Sequence, residues 1–243
     1  MKNKLFIVTG SSKGLGKALV EALVKEDGSQ VIGVSRSTMD DISGIEHVKL
    51  DLGDIQELEK KLDRIFPIDD FDQVVLINNA GWIGEIAPVG KLTPEGIAKL
   101  QTVNVVAPAI LMNEFVRRYG KQMETKKVIV NISSGAANKN IDGWSGYSST
   151  KAALNRMTAI AQEESELHDY GIQYYALSPG VIDTPMQEEI RSSQKDDFSN
   201  VEKFKALKAN AELSTPKNTA QKVLHLIRNV QDYKEVFQDV REF

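Results

Sequence analysis

Leu5-Phe6-Ile7-Val8-Thr9-Gly10-Ser11-Ser12-Lys13-Gly14-Leu15-Gly16 is the stretch that decides the fold. Its first four residues are continuously apolar, as a strand covered on both faces requires. Beyond Gly16, Ala18, Leu19, Ala22 and Leu23 recur at helical spacing. Strand, glycine-rich turn and helix in direct succession bring the backbone close to a pyrophosphate. They set it at a helix N-terminus, where free N–H groups and the helix dipole favour negative charge. A lone turn of this kind is equally compatible with a purely structural role. The other phosphate-binding pattern, G-x-x-x-x-G-K-[ST], is absent. Gly16-Lys17 is followed by Ala18, and Ser11 stands where its first glycine belongs.

Downstream, the same alternation repeats. A second apolar strand at 31–34 ends at Ser35-Arg36-Ser37, and a weaker third at 47–50 ends at Asp51-Leu52. Asp54 reads as the N-cap of a helix carrying Ile55, Leu58, Leu62 and Ile65, closed by Pro67. A fourth strand at 73–77 leads into Asn78-Asn79-Ala80-Gly81. The irregular loop 82–92 after it either lines a pocket or covers the core. Thr93-Pro94 starts a long helical segment over 95–123, interrupted near Pro108, with Asn104 inside it. Asn is a poor helix former there, so its side chain is either functional or simply solvated. A fifth strand at 127–132 ends in Ser133-Ser134-Gly135, a helix spans 145–168, and a sixth strand at 172–177 ends at Ser178-Pro179-Gly180. From 183 to 215 an amphipathic pattern among many charges predicts a mobile helical lid, a solvated surface excursion being the alternative. Thr215-Pro216 starts a last helix, and 234–237 reads as a last strand. The alternation predicts one three-layer α/β domain over residues 1–243, a doubly wound parallel sheet of the Rossmann type.

Composition narrows the function. The 243 residues are 41% apolar and 26% charged, with a net charge of -4, an ordinary globular balance without the basic surplus of a nucleic-acid binder. There is no cysteine, which excludes thiol chemistry and disulfides. His47, His168 and His225 lack ligand spacing, so no metal site is expected. The apolar run 5–8 is too short for a signal-peptide core, and no run reaches the ~20 residues that span a bilayer. The expected location is the cytoplasm.

Ligands bind such sheets at the carboxyl ends of the strands. The polar clusters at 9–16, Arg36, Asp51, Asn79, Ser134 and Thr184 all fall there or just after. At the second strand end, a carboxylate that would bind a ribose 2′-OH is replaced by Ser35 and Arg36. Arg36 and Lys13 are each compatible with a solvated surface cation. Together, at both ends of one expected phosphate pocket, they favour NADPH. Tyr147 and Lys151, four apart, share one helix face. An ammonium beside a phenol lowers a pKa that starts near ~10, which makes a proton donor or acceptor usable near neutral pH.

With these motifs in place the chain resembles the short-chain dehydrogenase/reductase family over essentially its whole length. Thr9-Gly10-x-x-x-Gly14-x-Gly16 is similar to the family's cofactor turn, and Asn78-Asn79-Ala80-Gly81 to its sheet-stabilising motif. Asn104, Ser134, Tyr147 and Lys151 fall where its catalytic tetrad lies, and Pro179-Gly180 with Thr184 resembles its nicotinamide-side motif. Three stretches, 131–137, 143–145 and 178–184, resemble the bacillary benzil reductases, a sepiapterin-reductase-like branch that reduces one carbonyl of a diketone. Met186-Gln187 and 190–193 of the lid strengthen that likeness. A departure is Asp27, an extra residue before the second strand that bears on the register at Ser35 and Arg36.

The resemblance implies an NADPH-dependent carbonyl reductase and a homodimer built on the two long helices. It implies cofactor contacts from Gly10, Ser12, Lys13, Gly14, Leu15, Gly16, Ser35, Arg36, Asp51, Leu52, Asn79, Ala80 and Gly81. Further contacts are implied from Asn104, Tyr147, Lys151, Pro179, Gly180, Val181, Ile182 and Thr184. Ser134, Trp144, Tyr147 and Met186 are the implied substrate contacts, with Trp82, Ile83 and Ile190 as wall or core. Tyr147 would protonate the carbonyl oxygen, Lys151 would lower the Tyr147 pKa, Ser134 would hydrogen-bond that oxygen, and Asn104 would support a water leading protons toward Lys151. Rival readings are a sepiapterin reductase acting on pterin side-chain ketones, a 3-oxoacyl-carrier-protein reductase or sugar or steroid dehydrogenase of the same fold, and an NADPH-binding sensor without activity.

Overall fold

The computed structural model describes residues 3–39 and 42–243. Seven strands form one parallel sheet: β1 (Lys4–Thr9), β2 (Ser29–Ser35), β3 (Ile45–Lys49), β4 (Gln73–Asn78), β5 (Lys126–Ile132), β6 (Ile172–Ser178) and β7 (Phe237–Asp239), in the order β3-β2-β1-β4-β5-β6-β7. The order reverses between β1 and β4, so a crevice opens at their carboxyl ends. Continuous apolar runs are required because both faces are covered. In β1, Phe6 and Val8 join the core under helices α1 (Gly14–Leu23) and α8 (Pro216–Arg228), and Leu5 and Ile7 join the opposite one. That second core lies under α2 (Ile55–Ile65) and α4 (Ala107–Tyr119). α5 (Ser145–Leu167) packs along β6 and flanks the same face.

The local signals act as expected at most ends. The Asp54 carboxylate accepts the Glu57 N–H at 3.0 Å to cap α2, and Thr93 and Thr215 cap α3 (Pro94–Gln101) and α8 in the same way. The extra Asp27 is absorbed in the turn before β2, where Gly28 takes φ +71, so Ser35 still ends β2 and Arg36 follows it.

Two expected elements differ. The helix expected over 95–123 is α3, a five-residue π turn (Thr102–Val106) and then α4, which ends at Tyr119. Pro108, in the first turn of α4, has no N–H to continue the ladder, and the widened turn lies just upstream of it. The last strand runs at 237–239, not 234–237. The Tyr175 hydroxyl faces the carbonyls of Val230 and Tyr233 at 3.1 and 2.9 Å, which keeps that stretch in a turn and delays the pairing with β6.

Residues 183–215 hold α6 (Pro185–Arg191) and α7 (Val201–Ala209). Both ends of the excursion are tied together. Ser214 N–H donates to the Val181 carbonyl and Asp183 N–H to that of Ser214, at 3.0 and 2.9 Å. Phe198, wholly buried, and Ile190 of this segment meet Ile83, Trp144 and Tyr147 in a third apolar cluster, separate from the two sheet cores. Among the described residues no helix is long and apolar enough to cross a membrane.

Candidate active site

A cleft of about 1080 Å³ runs along the carboxyl ends of the strands. That is large enough for a dinucleotide and a small substrate together. Every residue expected to touch cofactor or substrate lines it except Gly16 and Asn104.

The glycine turn is held from β4. The Thr9 hydroxyl accepts the N–H groups of Asn79 and Ala80, each at 3.0 Å. The Asn79 amide donates back to the Thr9 and Gly10 carbonyls at 2.9 and 3.3 Å. Gly14 takes φ +54, and a Cβ there would stand 3.2 Å from Thr184 Cγ2, filling the gap between the turn and the loop after β6. That gap at the start of α1 fits the pyrophosphate of a dinucleotide. Gly16 lies behind the turn, where its missing Cβ lets α1 close against Gly10. At the far end Ser35 is buried, its hydroxyl donating to the Ser37 carbonyl and bonded to His47 Nε2, both at 2.9 Å. Arg36 is 63% exposed in its side chain and 3.9 Å from Asp51. Lys13 is exposed as well, so both cations are accessible to a phosphate on the cleft wall.

At the other end Tyr147 and Lys151 come from the first turns of α5, as their spacing requires, and both are buried. Lys151 Nζ donates to the Ile132 carbonyl at 2.8 Å and lies 5.8 Å from the centre of the Tyr147 ring. The Ser134 hydroxyl, just past β5, accepts the Ala136 N–H at 3.1 Å, leaving its own hydrogen for another partner.

One expectation is overturned. The Tyr147 phenol is pushed up to about 12, not lowered: burial raises it, and hydrogen bonding to Ser134 only partly offsets that. Burial also lowers Lys151 to about 8. Desolvation of both groups outweighs their mutual influence, because the ammonium is turned to the Ile132 carbonyl.

The Lys151 shift has a consequence for stability. Below about pH 8 the folded and unfolded chains both carry the proton, and the cost of burying the charge is fully present. Between pH 8 and 10.5 the folded chain sheds it first, so stability rises with pH. The stability of the wild-type chain relative to Lys151→Met is therefore expected to rise by about 2–3 kcal/mol between pH 7 and 10. Urea unfolding across that range measures it, and a flat difference would mean that the ammonium is not felt as a buried charge.

Asn104 sits in the π turn, 1% exposed. Its amide donates to the Trp82 carbonyl at 2.8 Å and to the Thr150 hydroxyl at 3.1 Å, and its Oδ1 accepts the Trp82 N–H at 2.9 Å. Both amide hydrogens are committed, so only a second Oδ1 lone pair remains to receive a water. Asn104 thereby pins the loop after β4, and a Cβ on Gly81 of that loop would lie 3.7 Å from Asn104 Oδ1 and 3.6 Å from Lys151 Nζ.

The cleft wall beside Tyr147 is aromatic. Trp144 meets Tyr147 edge-on at 5.6 Å and stacks on Phe198 at 5.1 Å, with Phe204 at 5.4 Å. Met186, Ile83 and Ile190 complete the wall, and Lys99 lies 5.2 Å over the Trp82 ring. Lys99, Ile141, Phe204 and Arg241 also lie on the cleft wall, beyond the residues expected to touch a ligand. Phe204 carried a signal as one of the apolar positions of 183–215. Arg241 carried none, since only the pairing of β7 with β6 brings the chain's end beside Gly180.

The chain matches the family model described as short chain dehydrogenase over residues 4–195. It is 35% identical to a benzil reductase ((S)-benzoin forming) of Bacillus subtilis (strain 168), with 99% of each chain covered. It is 27% identical to a sepiapterin reductase of Bos taurus over 93% of this chain and 90% of that one. Among solved structures, 4-hydroxyisoleucine dehydrogenase complexed with NADH superposes with a TM-score of 0.77 at 26% identity, covering 98% of this chain and 96% of the other.

Proposed function

The chain belongs to the short-chain dehydrogenase/reductase family, oxidoreductases that bind a nicotinamide cofactor, and on that premise we propose that it is an NADPH-dependent carbonyl reductase. The proposed substrate is an aryl α-diketone, with benzil giving (S)-benzoin as the type reaction. The observation that carries this reading is the aromatic wall of Trp144 and Phe204 beside a buried Tyr147, suited to flat aryl groups rather than to a polyol or an acyl chain. The relative in Bacillus subtilis supports it.

Bound nicotinamide supplies hydride to the carbonyl carbon. The rest falls to the chain's own residues. The glycine turn and the N-terminus of α1 hold the pyrophosphate, while Arg36 and Lys13 take the 2′-phosphate. The loop from Pro179 to Thr184 flanks the nicotinamide. Ser134 turns its hydroxyl hydrogen from Tyr147 to the carbonyl oxygen as charge grows there, and Tyr147 then gives that oxygen its proton. A phenol raised to about 12 is protonated throughout the neutral range, the form a reductase needs in its acid. Lys151, at about 8, is able to return the proton near neutral pH. Asn104 keeps the loop at Gly81 in place beside it. Segment 183–215 serves as the lid over the substrate.

The test is NADPH oxidation with a panel of benzil, sepiapterin and an acyl thioester, together with Arg36→Asp. Benzil should give the highest kcat/KM. Arg36→Asp replaces an attraction to the 2′-phosphate by a repulsion, beside the existing carboxylate of Asp51. It should cost ~100-fold for NADPH and only a few-fold for NADH. Equal loss for both cofactors would remove Arg36 from the 2′-phosphate site.

A further inference from the structure

β2 ends at Ser35, Arg36 follows it, and the neighbouring edge strand β3 carries His47. His47 pairs with Gly33, two residues before Ser35, so the side chains of His47 and Ser35 share one face of the sheet. The Ser35 hydroxyl lies 2.9 Å from the Ser37 carbonyl oxygen and 2.9 Å from His47 Nε2, and the residue is 6% exposed. A hydroxyl has a single hydrogen, and a carbonyl can only accept. That hydrogen therefore goes to Ser37, and His47 Nε2 carries the hydrogen of the second bond. Were Nε2 the acceptor, the hydroxyl and the Ser37 carbonyl would face each other lone pair to lone pair at 2.9 Å. The donors run from His47 through Ser35 to the Ser37 carbonyl, and they close the turn whose middle residue is Arg36. With its hydrogen spent, the Ser35 hydroxyl offers a phosphate only a lone pair, which phosphate oxygens repel.

We propose that His47 is a positioning residue for cofactor choice: it fastens the turn from Ser35 to Ser37 and so holds Arg36 where a 2′-phosphate binds. The assignment rests on the NADPH reading above and adds to it the residues that aim its arginine. Ser35 then shapes the turn and does not bind the phosphate through its hydroxyl. Arg36 has a side chain 63% exposed and pairs loosely with Asp51 at 3.9 Å, so its aim depends on the backbone that carries it. A cation on a fastened turn has already lost part of the freedom that capturing a phosphate would otherwise cost. NADH has no phosphate at that position and gains nothing from the aim.

The test measures dissociation constants for NADPH and NADH by fluorescence titration in the wild type, His47→Phe, His47→Gln and Ser35→Ala, with urea midpoints alongside. Phenylalanine keeps a ring and has no donor, whereas the glutamine amide sets a donor close to the place of Nε2. His47→Phe and Ser35→Ala should each weaken NADPH about fivefold and NADH less than about twofold, the loss of one neutral hydrogen bond. His47→Gln should bring NADPH back to within about twofold of the wild type. In an Arg36→Ala background, His47→Phe should leave the ratio of the two constants unchanged, because it acts through that arginine. Equal weakening of both cofactors, an unchanged ratio in His47→Phe or no recovery in His47→Gln overturns the assignment and leaves the NADPH reading standing. So does an effect of His47→Phe on the ratio that persists without Arg36. A wild type that does not prefer NADPH overturns the cofactor reading, and this assignment with it.

Discussion

Tyr147→Phe should lower kcat by ~10³-fold or more while NADPH affinity stays within a few-fold. A positioned acid contributes roughly 10²–10⁴-fold, and no other group at this site replaces it. Ser134 is a hydroxyl with no buried cation of its own, and Lys151 is turned to the Ile132 carbonyl. The substitution removes one oxygen and leaves the six-membered ring in place, so the edge-on contact with Trp144 survives. The lost hydrogen bond with Ser134 costs only about 1 kcal/mol, so the protein should remain folded. Single-turnover rates with benzil and fluorescence titration with NADPH separate the two effects. Turnover within tenfold of wild type would mean that the proton comes from elsewhere.

The fold was legible because it rests on periodicities that neighbours rarely override. Leu5 to Val8 must be apolar at every position when helices cover both faces, and Asp54, Thr93 and Thr215 cap the helices they precede. The members of the site were legible for a related reason. Strand ends in a parallel sheet converge, so Gly10, Asn79, Ser134 and Pro179 had to meet. What sequence left out depends on how side chains turn after folding. Spacing placed Lys151 over Tyr147, yet only the structure shows the ammonium bonded to Ile132, so that burial decides both pKa values. Asn104 stood out as a poor helix former. That it sits in a π turn with both amide hydrogens spent is a tertiary fact. The bond between His47 and Ser35 is likewise invisible to any local pattern.

Gly16→Ala should abolish tight cofactor binding and destabilise the protein, against the usual direction of such a change. Within a helix, Ala is favoured over Gly by up to about 1 kcal/mol, and Gly16 has an ordinary helical backbone in α1. The added methyl, however, would lie 2.2 Å from the Gly10 carbonyl oxygen and 2.6 Å from Asn79 Nδ2. Neither can retreat easily. Gly10 N–H is bonded to the Val34 carbonyl at 2.8 Å, a Cβ on Gly10 itself would already stand 2.9 Å from Ala80 Cα, and Asn79 is tied to Thr9. The helix must therefore move off the turn by a sizeable fraction of an ångström. Overpacking of this kind costs about 1–3 kcal/mol, occasionally more, which exceeds the propensity gain. The functional loss should be larger than the loss of stability. On the proposed reading the N–H groups at the start of α1 would hold the cofactor's phosphate through their aim, and the turn and helix cannot both keep it once they separate. NADPH affinity should fall at least ~100-fold, read by fluorescence titration, with a lowered urea midpoint. A Gly16→Ala chain with wild-type affinity and midpoint would show that α1 and the turn are free to slide, and that the close approach of Gly16 to Gly10 is not what shapes the phosphate site.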